Sequence, residues 1–99
     1  MRFYSRVLPI PNPMANGNTT PVDVSTIVNK SVQMTGVHAS TVKLQGSVDG
    51  NTWYDLQTLA DTTIYSITQT VKLVRLDIAG SNIADTLTVT VCGHEARSF

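Results

Sequence analysis

The residues best suited to chemistry cluster near the C-terminal end, in Cys92-Gly93-His94-Glu95. A thiol and an imidazole two positions apart are donors that zinc selects, but a structural zinc site needs four ligands and a catalytic one three. No second pair stands at ligand spacing. Paired with His38 as a base, Cys92 would give a nucleophile and its activator, yet no helix N-terminus is predicted beside it to lower the thiol pKa. Asp49, Asn51 and Asp55 could offer oxygens to Ca²⁺, but the twelve-residue loop that spaces such ligands is missing. The remaining acids, Asp23, Asp61, Asp77 and Asp85, are scattered over turns and strand exteriors, and turn chemistry accounts for Asp49, Asp61 and Asp85 without an ion. Arg75 and Asp77 share one strand face, where Lys43 is a natural cross-strand partner. No Ser-His-Asp set and no phosphate-cradling glycine loop can be read out. The expectation is a protein that is not an enzyme and carries no metal or cofactor.

Those side chains sit on a chain whose apolar residues recur with period two. Val42, Leu44, Gly46 and Val48 alternate with Lys43, Gln45 and Ser47; Val74, Leu76 and Ile78 with Arg75 and Asp77; Leu87, Val89 and Val91 with Thr86, Thr88 and Thr90. Such alternation turns one face of a strand to a core and the other outward. No stretch keeps a helical apolar spacing between caps. Strands are predicted near residues 22–28, 31–37, 40–48, 53–59, 63–67, 71–78 and 84–92. They are separated by the turn signals TGVHAS, DGNT, LADT, TQT and AGSNIAD. The fold class is all-β: one antiparallel sandwich or jelly-roll-like barrel of six to eight short strands over residues 22–99.

Residues 1–21 read differently. Pro9, Pro11 and Pro13 alternate with Ile10 and Asn12, and each proline fixes φ and extends its predecessor, so this segment is predicted to be an extended N-terminal arm. Its Phe3, Tyr4, Val7, Leu8 and Ile10 are large apolar side chains that cost roughly 1.5–3 kcal/mol each to leave in water. Either they pack along the edge of their own sandwich or they lie across a neighbouring chain as partner-binding anchors. On the second reading, removing residues 1–20 abolishes assembly and leaves the sandwich folded.

The chain has 99 residues, enough for one domain, with seven Lys+Arg against seven Asp+Glu and only 14% charged residues. Without a basic stripe the electrostatic footprint of a nucleic-acid binder is missing. No apolar run approaches the ~18 residues of a membrane span, and the first residues lack a signal peptide's apolar core, so synthesis in the cytoplasm is expected. Cys92 is the single cysteine, which excludes an internal disulfide. Zero net charge removes the self-repulsion that keeps small proteins apart. A threonine-rich, charge-poor chain of this kind predicts sheets with a hydroxylated outer face.

The most specific local pattern is GSVDGNTWYDL, residues 46–56. Asp49-Gly50 is a structural turn signal, because glycine reaches φ > 0 without steric cost. Trp53 follows, the only tryptophan, either as a core anchor or, with Tyr54 and Tyr65, as a stacking platform for a ligand. Ser47, Asp49, Thr52 and Trp53 resemble the Asp box of sialidase-type propellers, short of one residue between Asp and Gly. Ser47, Asp49, Gly50, Trp53 and Leu56 resemble the S-x-DG-x-x-W-x-x-L hairpin of discoidin-type domains. The same hairpin, followed by Val71-Lys72-Leu73-Val74-Arg75 and a final Thr/Val strand, resembles small β-sandwich proteins of phage particles over residues 32–93. That resemblance implies a structural role in the virion, as a capsid decoration or cement protein or a link between its parts. The implied partners are further copies of the chain, in two-fold or three-fold association, and a major capsid or other virion protein. The alternative is a carbohydrate- or surface-binding module built on Trp53 and Tyr54.

Overall fold

The computed structural model describes residues 2–11, 15–37, 40–60, 63–80 and 86–95. Nine strands run in chain order: β1 Phe3–Val7, β2 Gly17–Asn18, β3 Val22–Asp23, β4 Ile27–Val37, β5 Thr41–Ser47, β6 Tyr54–Leu59, β7 Ile64–Ile67, β8 Leu73–Ala79 and β9 Thr86–Glu95. They form two antiparallel sheets that do not close into a barrel, an arrangement consistent with the expected β-sandwich. Sheet A has the order β1-β9-β4-β7; sheet B has the order β2-β8-β5-β6, with β3 also pairing β8. Among the described residues there is no helix.

The period-two runs supply the core. Val42 pairs with Ile78 and Leu44 with Leu76 across β5 and β8, Val32 with Val91 and Met34 with Val89 across β4 and β9, and all eight side chains are buried. Burying a side chain of this size contributes about 1.5–3 kcal/mol relative to leaving it in water. The predicted inward position of Val48 is wrong. The alternation stops at Ser47, which is buried, and Val48 projects outward because the chain has already entered the turn.

Of the two readings of the N-terminal stretch, its described residues follow the first, and β1 forms an edge of this same fold. β1 pairs with β9 from Phe3↔His94 to Val7↔Thr90, and the Leu8 amide donates to the Val89 carbonyl at 2.9 Å. Period two then divides the five predicted anchors. Leu8 is a buried core residue and Tyr4 and Ile10 pack against that core, whereas Phe3 and Val7 face outward, 68% and 64% exposed. Cutting off residues 1–20 would therefore remove an edge strand and a core leucine, and it is not the clean separation of arm from sandwich that the prolines suggest.

β4 runs through the break predicted between strands at 22–28 and 31–37, while the front of the first of these is the separate short strand β3. Its register against β9 shifts between Val28 and Ser31, a bulge in which Asn29 and Lys30 together oppose Gly93. Asn29 takes φ 52°, a left-handed conformation that asparagine tolerates better than most residues. The extra residue resets the alternation, so Ile27 and Lys30 both turn inward and Val28 and Ser31 share the outer side. Gly93 makes this possible: a Cβ there would lie 2.6 Å from the Val28 carbonyl oxygen and would collide with the Ile27 side chain.

Candidate functional site

The Cys92-Gly93-His94-Glu95 segment forms the end of β9. Its alternation puts Cys92 and His94 on the outer side of sheet A and Gly93 on the core side. Asn29 Nδ2 lies 2.8 Å from His94 Nε2 and donates to it, while His94 Nδ1 donates to the Glu95 carbonyl at 3.2 Å. Both ring nitrogens are thereby engaged, and the Phe3 ring meets the imidazole edge-on at 6.5 Å between centroids. Among the described residues no three His, Cys, Asp or Glu side chains gather around a common point. His38, Asp61 and Asp85 lie outside the described residues.

Asp49 is built into the turn after β5. Its Oδ1 accepts from the amides of Asn51 at 2.8 Å and Thr52 at 2.9 Å and from the Ser47 hydroxyl at 3.1 Å. The Gly50 amide donates to Ser47 Oγ at 2.8 Å, with Gly50 at φ 83°. These donors, the Thr52 and Asn51 amides first, hold the Asp49 carboxyl below the usual carboxylate range. All four contacts are local, so the hairpin closes on itself.

Trp53 lies outside the buried core, half-exposed on the outer side of sheet B, where the Arg75 guanidinium sits 4.1 Å from its ring centroid. Arg75 Nε donates to Gln45 Oε1 at 2.9 Å, and Gln45 Nε2 donates to Asp55 Oδ1 at 2.9 Å. Lys43 stands opposite Asp77 in the β5–β8 register, as expected, while its ammonium faces Asp55 at 3.7 Å. Tyr54 lines a separate cleft with Val48, Leu56 and Val71, and Tyr65 packs against the core from β7. The structure does not bring these three aromatics into one platform, and one face of the indole is already covered by a cation.

What the register does assemble is the outer side of sheet A. Ser5, Cys92, Ser31 and Ser66 form one cross-strand row through β1, β9, β4 and β7, and Val7, Thr90, Gln33 and Ile64 form the next. Phe3 and His94 extend the surface at one end, Thr35 and Thr88 at the other. No described residue on this side is Lys, Arg, Asp or Glu. A shallow depression of about 240 Å³ lies between Ser5, Ser31, Gln33, Ile64, Thr90 and Cys92. Phe3 and Val7 on one edge strand and Ile64, 68% exposed, on the other frame the neutral hydroxyl field with apolar side chains. Sequence reading had the threonines of β9 but not their neighbours, because the bulge hides which residues of β4 face outward.

No family model, curated protein or solved structure matches this chain.

Proposed function

We propose that the chain is a non-enzymatic structural protein of a virus particle, one that associates with further copies of itself through the outer side of sheet A and is displayed on, or links, the capsid. The observation that carries this reading is the four-strand surface whose described residues carry no formal charge, with apolar side chains at both edges. Antiparallel sheets commonly leave one polar face solvated, and like charges brought directly opposite each other there are destabilising. A neutral face can lie against its own copy across a two-fold axis without setting like charges opposite each other, as an isologous contact demands. Strand lengths and the ~4.8 Å strand spacing give a planar footprint of roughly 450 Å² per copy, which side-chain relief raises toward the ~600 Å² per partner of the smallest specific interfaces.

The resemblance over residues 32–93 adds the virion context: its hairpin motif is the β5–β6 turn and its Val71–Arg75 motif leads into β8. Edge strand β1, which among the described strands pairs with β9 alone and carries the exposed Phe3 and Val7, offers the second contact, to a capsid protein. The carbohydrate-binding alternative draws no support from Trp53 and Tyr54, which serve different surfaces. The test is the polypeptide content of purified particles. The chain should co-purify at fixed stoichiometry, and a folded Val7→Glu/Ile64→Glu variant should be left out. Incorporation of that variant at the normal level would refute the proposal.

A further inference from the structure

Lys30, turned inward by the β4 bulge, is 5% exposed. Among the described residues its ammonium's hydrogen-bond partner is the Ile27 carbonyl, to which it donates at 3.3 Å, although an ammonium carries three donors. It lines a cleft of about 440 Å³ between the bulge and the connection from β7 to β8, together with Ser25, Thr68, Gln69, Thr70, Ile27 and Val71. Among the described residues lining this cleft there is no carboxylate, and Lys30 is the one titratable group. A buried charge without a counter-charge is costly, and an apolar replacement would fill the same position at no such cost. Burial accordingly pushes the Lys30 pKa below the ordinary lysine range.

We propose that this cleft is a binding site for a carboxylate carrying a short aliphatic chain, with Lys30 as its ion-pair partner and the apolar wall receiving the chain. The charge count selects the class. One ammonium matches one carboxylate, whereas a phosphate dianion would stay half-neutralised in a cleft with no arginine fork, no second lysine and no glycine-rich nest of amides. Thr68 and Thr70 supply hydroxyls of the kind that complete a carboxylate's hydrogen bonding, the Ser25 hydroxyl being already given to Asp23 at 2.6 Å, and Ile27 and Val71 form the apolar side. The carboxylate can come from a free acid or from the C-terminus of another polypeptide.

The test is an NMR titration of the full chain carrying ¹³C-lysine, with butyrate, butyramide, inorganic phosphate, and a short aliphatic peptide with a free or an amidated C-terminus. Butyrate is expected to shift the Lys30 Cε resonance saturably in the millimolar range and to move its titration to higher pH, while butyramide and phosphate do neither. A free-acid peptide binding at least about tenfold tighter than butyrate, with its amide inert, assigns the site to a polypeptide terminus; otherwise the ligand is a free acid. Butyrate binding, read from the ligand's own resonances by saturation transfer, should vanish in Lys30→Met. The butyrate and butyramide comparison stands in the wild-type chain even where that variant fails to fold. Equal shifts with butyramide, no saturable response to any carboxylate, or butyrate binding that persists in a folded Lys30→Met would overturn the proposal.

Discussion

Arg75→Ala removes the cation from the face of Trp53 and the donor that holds Gln45, leaving the Gln45–Asp55 hydrogen bond and the Lys43–Asp55 pair in place. A guanidinium over a half-exposed indole contributes about 0.5–1 kcal/mol and the hydrogen bond to Gln45 about 1 kcal/mol net, so the expected loss is about 1.5–2 kcal/mol. For a domain of this size each kcal/mol moves Tm by roughly 4–8 °C, which puts the expected drop at roughly 6–16 °C. Because Trp53 is the only tryptophan, its fluorescence reports on this stack alone. The variant should show a red-shifted emission maximum and faster acrylamide quenching in the native state, with the lower Tm seen by calorimetry. Arg75→Lys, which keeps charge without the planar fork, should fall between the two. Unchanged quenching together with unchanged Tm would refute the placement of Arg75 over the ring.

Gly93→Ala should destabilise by about 1–3 kcal/mol or more, because the added methyl meets backbone oxygen and the buried Ile27 at the bulge; urea unfolding should show a lower midpoint at an unchanged m-value. The Asp49 carboxyl, held below its unfolded pKa by the turn's donors, stabilises the fold fully above about pH 4 and loses that contribution as pH falls through the lowered folded value. Asp49→Asn should therefore melt lower than wild type at pH 7, and calorimetry should find the two converging toward pH 2.

The parts of this fold that were legible in the sequence are those where strict alternation survives. Leu44 with Leu76 and Val89 with Val91 identify themselves as core because their strands run without interruption. The β4 bulge was not legible, because one left-handed asparagine inverts the face of every residue before it, and so neither the inward Lys30 nor the outer row through Ser31 could be read. The prolines at 9, 11 and 13 obscured β1 in a related way: they mark an extended chain but say nothing of which chain it pairs with. Trp53 was misleading as a core candidate because size favours burial, whereas here an arginine from β8 covers it instead. The neutral surface of sheet A needed the cross-strand register, which no single strand encodes.

Sedimentation velocity of the full chain over a wide concentration range tests the central claim most directly. Wild type should pass from monomer to a defined oligomer as concentration rises, and Val7→Glu/Ile64→Glu, folded by circular dichroism, should stay monomeric throughout. A wild-type chain that remains a single monomeric species at every concentration, or a double variant that associates equally well, would contradict it.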